Sequence, residues 1–315
     1  MTGIGGPAIV AFGGGHGLAA SLAALRRLTS RLTAVVTVAD DGGSSGRLRQ
    51  ELGCLPPGDL RMALAALCCD DADGIAWAET LQGRFAGTGP LAGHAVGNLL
   101  IAGIWQQCQD PVAGLDRLGH LIGIQGRVLP MSTVPLEIEA DVIGLDPLTP
   151  DDVLTLNGQA TIAKTRATVE AVRIIPDRPP AASAAVAAVR EADVLVLGPG
   201  SWFTSVIPHL LVPDLAEAIL GTAARRILVL NLEPAAETAG FSAARHLEIL
   251  AEHAPLLRLD YVVAPREFGS HDRHLRNYAE SLGACLVVAD VALEDGSPRH
   301  DPARLAAALG PLVDR

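Results

Sequence analysis

The sequence predicts an α/β fold built on a doubly wound, mainly parallel sheet, and two observations carry that expectation. Short runs that are apolar throughout, rather than alternating, recur along the chain, and three of them lead into a glycine-rich cluster followed by an amphipathic stretch. Strands apolar on both faces belong to a sheet covered on both sides, with parallel neighbours joined by right-handed crossovers. The expected architecture is therefore Rossmann-like. One segment breaks the pattern and predicts a small antiparallel β insertion.

Taken in order, Ala8 to Phe12 is the first strand, Gly13-Gly14-Gly15-His16-Gly17 its turn, and Leu18, Leu22, Leu25 and Leu28 mark a helix by their spacing of three and four. Leu32 to Val38 is the second strand and runs into Asp40-Asp41-Gly42-Gly43-Ser44-Ser45-Gly46-Arg47. Asp59 to Ile122 reads as mostly helical, interrupted by Pro90 and Gly93. Between Val128 and Pro176, the runs Leu136 to Val142 and Thr168 to Ile174 alternate with period two, as strands with one wet face do. Asn157-Gly158 is the expected hairpin turn of this insertion. Asp177-Arg178-Pro179-Pro180 is the best linker candidate, but residues 1–315 are expected to form one domain with an insertion at about 128–176. Asp193 to Leu197 then leads into Gly198-Pro199-Gly200-Ser201 and a helical segment from Trp202. Ile227 to Leu232, Tyr261 to Ala264 and Cys285 to Ala289 complete the strands.

Composition removes several classes of function. With 49% hydrophobic and 19% charged residues, the 315-residue chain has the makings of a large core and is not a disordered sequence. No apolar run approaches the roughly 18 residues that cross a bilayer. Met1 to Pro7 carries no basic residue, so no signal peptide is read there, and the expected address is the cytoplasm. A net charge of -11 without a basic stripe argues against nucleic acid as a partner. Lys164 is the only lysine, so anion contacts fall to arginines or backbone amides. The five cysteines show no C-x-x-C spacing and read as reduced core residues.

In an open parallel sheet, ligands bind beyond the carboxyl ends of the strands. The three glycine clusters fall there. Gly13, Gly14, Gly15, His16 and Gly17 bring backbone N–H groups to a helix N-terminus, a combination that attracts phosphate. Hydrogen bonds to a charged group contribute about 1.5 to 3 kcal/mol each, more than a glycine turn offers by itself. Gly15, Gly17 and Ala20 also stand at G-x-G-x-x-A spacing with Asp40 beyond, a weak dinucleotide fingerprint. Asp40 and Asp41 end a strand, where two carboxylates cannot both face a core, and adjacent residues point to opposite faces, so one of them is expected at a ligand. Gly42, Gly43, Ser44 and Ser45 can fold into an amide and hydroxyl nest, with Arg47 for bidentate phosphate binding. Magnesium on Asp41 with a substrate phosphate would suit such a loop, although no cofactor is demanded by the residues. Asp59 reads first as a helix N-cap. His94 and Asn98 share one face of a helix, and Gly198, Gly200, Ser201, Thr204 and Ser205 repeat the strand-end logic. His271, Asp272 and His274 read as a solvated helix start.

Together these strings resemble the gluconeogenesis factor family, the YvcK-type branch of the CofD-like group, over nearly the whole chain. The most specific are Thr37 to Arg49, Pro57-Gly58-Asp59, Gly93 to Leu100, Gly126 to Pro130 and Leu197 to Pro208, with Arg299-His300-Asp301 near the end. Gly15-His16-Gly17 and Gly200-Ser201-Trp202-Phe203 are most similar to actinobacterial members. The resemblance implies a Rossmann-like fold and a UDP-sugar ligand, UDP-N-acetylglucosamine foremost. It also implies a part in cell-wall synthesis, cell shape and gluconeogenic growth rather than a defined reaction. A homo-oligomer is the expected assembly, and the downstream protein partner is not named by the residues. The related transferase branch, which uses magnesium and a nucleotide-diphosphate donor to move a phospholactyl group, supplies the alternative. A nicotinamide-dependent oxidoreductase ranks third, because no hydride-transfer constellation is legible.

Overall fold

The computed structural model describes residues 5–269 and 272–314. Seven parallel strands form the main sheet: β1 (Ile9–Gly13), β2 (Leu32–Val36), β3 (Arg127–Pro130), β7 (Val194–Leu197), β8 (Arg225–Val229), β9 (Tyr261–Pro265) and β10 (Cys285–Ala289). Their spatial order is β10-β9-β8-β7-β1-β2-β3. Every residue of β1 and β7 is buried, which is why these strands carry no polar alternation. Ile9 lies opposite Leu32 on one side and Val194 on the other. The chain moves outward from β1 to β3, then returns to lay β7 on the other flank. Strand order therefore reverses at β1 and β7, the switch point at which such sheets open a crevice.

The antiparallel sheet has the order β5-β4-β6, from β4 (Glu137–Ile143), β5 (Leu154–Asn157) and β6 (Thr168–Ile175). Ile138, Ala140 and Val142 face the core with Val169, Val172 and Ile174, while Arg173 on the wet face pairs with Glu139 and Asp141, both at 2.7 Å. Period-two patterning thus reports one solvated face. Two expectations are corrected. Arg127–Pro130 is the edge strand of the parallel sheet, so the insertion begins after it. Asn157-Gly158 is not a hairpin turn: Asn157 ends β5, and Gly158, with φ of +91°, opens a short helix.

The helices are α1 (Gly15–Leu25), α2 (Gly43–Leu52), α3 (Gly58–Ala66), α4 (Ala72–Gln82), α5 (Val96–Gln107), α6 (Pro111–Leu121), α7 (Gln159–Ile162), α8 (Ser183–Arg190), α9 (Pro208–Leu211), α10 (Pro213–Gly221), α11 (Ala243–His253), α12 (Arg266–Gly269), α13 (Arg273–Ser281) and α14 (Pro302–Val313). Helices α3 to α6 fill the segment expected to be helical, and residues 83–95 form its interruption. A π-helical turn, Trp202–Val206, follows β7. Helix α1 packs between α3 and α14. Buried side chains of both sheets join one core. Asp177 to Pro180 returns the chain to the main sheet, where the Ser132 hydroxyl donates to the Pro180 carbonyl at 2.8 Å. Asp272 caps α13 by accepting from the Leu275 amide; His271 lies outside the described residues. Among the described residues no helix is long and apolar enough to cross a membrane.

Candidate nucleotide site at the sheet switch point

The β1 and β7 turns interlock. A Cβ at Gly17 would stand 2.3 Å from the Pro199 carbonyl oxygen, so only glycine lets α1 start directly against the β7 turn. Gly15, at φ of +57°, supplies the left-handed residue that turns the chain from β1 into α1. Asn231, just beyond β8, braces the second turn from the far side: its side-chain oxygen accepts from the Gly200 amide at 2.8 Å and its side-chain nitrogen donates to the Gly200 carbonyl at 2.9 Å. Ser201, Thr204 and Ser205 do not line the crevice with free hydroxyls as a set. Ser201 donates to the buried Glu237 at 2.6 Å and contacts the Thr204 hydroxyl, while the Phe203 amide donates to the same carboxylate at 3.1 Å. Burial pushes Glu237 above the ordinary carboxylate range.

Beyond β2 the two aspartates part company. The Gly42 amide donates to Asp40 at 3.0 Å, and the other Asp40 oxygen lies where a Cβ at Gly58 would approach to 2.6 Å. Asp41 turns to the insertion and accepts from the Ala160 amide at the start of α7 at 2.9 Å. The carboxylate beside Asp40 is instead Asp59, in the first turn of α3, which takes the Thr37 hydroxyl at 3.2 Å and the Gly15 amide. Burial and the neighbouring Asp40 charge push Asp59 up to about 7. Asp59 is not the N-cap of its helix, a position held by Pro57.

Ser44, His94 and Asn98 do converge, in a buried chain that ends on an arginine. Arg61 Nε donates to Asn98 at 3.0 Å, Asn98 donates to Ser44 at 3.0 Å, and Ser44 meets His94 Nδ1 at 2.8 Å. The second terminus of Arg61 contacts Gln82. Burial and the Arg47 charge lower the His94 pKa against the pull of Glu51. Ser45 accepts from the Gly58 amide at 2.9 Å, which ties the start of α2 to that of α3. Arg47 is not poised as a free phosphate fork. Its guanidinium donates to the Pro90 and Ala92 carbonyls at 3.1 and 3.0 Å and so holds the 83–95 segment over α2.

A cavity of about 510 Å³ opens on the other flank of the β1 turn, among His16, Gly200, Asn231, Leu293, Arg299 and His300. A larger cavity of about 620 Å³ lies at the amino ends of the strands, among Gly5, Gly6, Arg31, Asp193 and Arg225, away from the carboxyl ends where such sheets bind ligands. Chemistry favours the first. Among the described residues no group of three His, Cys, Asp or Glu could hold a metal ion. Asp40 and Asp59 fit magnesium only if a ligand phosphate completes the shell, because the ion usually takes one or two carboxylates with phosphate oxygens and water. Sequence reasoning passed over Asp59 as a cap and did not raise Arg61, Asn231 or Glu237. Pro57-Gly58-Asp59 and Arg299-His300-Asp301 were the available signals.

Comparison with known proteins identifies the family. The pattern of the CofD family, described as 2-phospho-L-lactate transferase CofD, matches residues 9–298. A putative gluconeogenesis factor of Mycobacterium tuberculosis is 56% identical over 312 residues, covering 98% of this chain and 90% of its own. The gluconeogenesis factor of Listeria innocua is 34% identical over 315 residues, covering 96% and 94%. The crystal structure of a UPF0052 family protein from Bacillus halodurans superposes with a TM-score of 0.85 at 31% identity, covering 98% of this chain and 99% of that one. The chain belongs to the CofD family, and within it to the branch of the gluconeogenesis factors.

Proposed function

We propose that this chain is a UDP-sugar-binding regulatory protein, UDP-N-acetylglucosamine first among its ligands, acting in the cytoplasm on cell-wall synthesis, cell shape and gluconeogenic growth. The observation that carries the reading is the open cavity beside the interlocked β1 and β7 turns: α1 begins at glycines with no side-chain cap, and the cavity that His16, Gly17 and Gly200 line is left unfilled by neighbouring side chains. The α1 N-terminus would stabilise a diphosphate through the helix dipole and the first-turn amides other than that of Gly15, which Asp59 accepts. Gly13 to Gly17 and Gly200 would flank the diphosphate, with Asp40, Ser44, His94 and Asn98 on the sugar side. No residue is assigned a catalytic role: among the described residues no activated nucleophile stands in the crevice.

One observation favours a second reading, a magnesium-dependent transferase using a nucleotide-diphosphate donor. The Asp40 charge raises the Asp59 pKa, a repulsion that a cation beside a phosphate relieves. Asp41, spent on α7, is replaced by this pair as the place for magnesium. Calorimetry with UDP-N-acetylglucosamine, GDP and NAD, each with and without magnesium, separates the readings. Binding of the UDP-sugar alone, with the same affinity in both conditions, supports the first. Magnesium-dependent binding of GDP in preference to the UDP-sugar supports the second.

A further inference from the structure

The loop between β4 and β5 gathers exposed apolar side chains where a water-facing turn needs none. Leu145, Leu148, Val153 and Leu154 are 41, 89, 61 and 36% exposed and all fall in one short stretch of chain. A leucine exposed singly is ordinary, but such a group in one stretch marks a contact surface. The loop is also built rather than slack. Pro147 and Pro150 fix its backbone, Asp146 accepts from the Leu148 amide at 2.9 Å, and the Asp152 amide donates to the Thr149 carbonyl at 3.1 Å.

Strand β5 adjoins this loop as the free edge of the small sheet. Among the described residues its backbone bonds only to β4, and Leu154-Thr155-Leu156-Asn157 contains neither proline nor a charged side chain. Leu154 lies opposite Val142, which lies opposite Val169, and both valines are buried. Residues directly opposite share a face, so Leu154 belongs to the buried face and stays exposed because no strand lies beyond it. An outer row of amides and carbonyls beside an uncovered leucine is a template for one more strand.

Charge selects the occupant. Asp146, Asp151 and Asp152 flank the apolar tip, and among the described residues the Asp151 and Asp152 side chains have no ion pair or hydrogen bond. A second copy would offer a β5 with no basic residue, from a chain of net charge -11. An anionic membrane surface and a nucleic acid are repelled by the same carboxylates. We propose that the β4–β5 tip and the edge of β5 form the docking surface for a protein partner that presents an extended segment of alternating apolar and basic residues, added to β5 as the fourth strand of the small sheet. Its apolar side chains cover Leu154, and its arginines or lysines meet Asp151 and Asp152. The four-residue ladder is short, so Leu148 supplies the rest of the contact.

The test uses the full chain and a short synthetic peptide of alternating valine and arginine, its valine and glutamate counterpart, and the first peptide N-methylated at alternate residues. Fluorescence anisotropy reads affinity, and hydrogen exchange reads protection of Leu154 to Asn157. The valine-arginine peptide is expected to bind, to slow exchange at those amides, and to weaken about tenfold between about 0.05 and 0.5 M salt. The glutamate peptide should bind at least about tenfold more weakly, and N-methylation, which removes strand donors, should abolish binding. Leu148→Ser, and Asp151→Asn combined with Asp152→Asn, should each weaken the peptide about tenfold with an unchanged urea midpoint, which shows that the variants are folded. Failure of the valine-arginine peptide to bind overturns the inference, as do equal affinities for the two unmethylated peptides, full binding by the methylated one, or protection that falls outside β5. A chain that self-associates by light scattering and protects its β5 amides without any peptide gives the edge to a second copy and overturns it as well.

Discussion

The two flanks of the β1 turn are made of opposite materials. Toward β8, the crevice is walled by prolines and leucines with His16, His300, Glu233 and Arg299 among them, and its braces are amide contacts such as Asn231 on Gly200. Toward β2, it holds the Asp40 and Asp59 carboxylates, coupled through their charges, and a buried hydrogen-bonded chain from Arg61 to His94. Apolar surface favours a ring that sheds water, whereas a prearranged polar chain favours hydroxyl and amide groups that exchange water for fixed partners. On the proposed reading, an elongated ligand laid across the switch point would be oriented by the asymmetry of the walls, with the glycine turns between them gripping its centre.

The most damaging way to break this division is to force its centre apart. Gly17→Ala places a methyl 2.3 Å from the Pro199 carbonyl oxygen, a backbone atom that cannot rotate aside. Overpacking of this kind costs about 3 kcal/mol, at the high end of its usual range. The β1 and β7 turns must separate, so both flanks lose their common edge. The expected outcome is a lower urea midpoint together with loss of detectable UDP-sugar and pyrophosphate binding. Wild-type stability in this variant would mean that the turns do not interlock.

The β2 flank can be sharpened by pH. Asp59 ordinarily titrates near 3.8 and is held at about 7 in the fold. Between these values the folded chain keeps a proton that the unfolded chain has released. Its contribution to stability is therefore full below about pH 4, falls as pH rises and is lost above about 7. Asp59→Asn removes that dependence and should be more stable than wild type at pH 8 by on the order of 2 kcal/mol, with little difference at pH 4. His209 and His300, both held near 4, pull the opposite way at acid pH in both proteins, so the quantity to measure is the variant's urea midpoint against wild type at each pH. A difference that stays constant from pH 4 to pH 8 would remove Asp59 as the strained carboxylate of this flank.

The unequal legibility of the two flanks has physical causes. Buried parallel strands write continuous apolar runs, so β1, β2, β7 and β9 could be read directly, as could the apolar but only half-buried β10, and the alternation of β4 and β6 betrayed their one wet face. Four-residue β3, ending in Pro130 at a sheet edge, writes almost nothing. Gly158 looked like half of a hairpin because the left-handed conformation that suits such a turn equally suits the start of α7. The β2 flank was visible in part because Ser44, Ser45, His94 and Asn98 are unusual residues near glycines. Asp59 hid behind the commoner role of an acidic residue at a helix start. His300 comes from a segment distant in sequence from β8, and only tertiary packing brings the two together.

Asp40 and Asp41 give the finest test of the comparison, because they are neighbours in sequence and opposed in space. Sequence logic allowed one of them at the ligand and put any magnesium on Asp41. Asp40 accepts from Gly42 beside Asp59, whereas Asp41 leaves the crevice to receive the Ala160 amide. Asp41→Ala should therefore cost no more than a lost helix-end contact, about 1 kcal/mol or less for a four-residue helix, and leave the affinities for UDP-sugar and magnesium where they were. Asp40→Ala, with the same change in charge, should alter magnesium dependence and weaken the pH response of Asp59, since its charge is one of the two causes of that shift. Calorimetry on the pair at pH 8 decides. If Asp41→Ala changes ligand affinity as much as Asp40→Ala does, the β2 flank responds to net charge rather than to placed carboxylates, and the polar side of the crevice loses its claim to position the sugar.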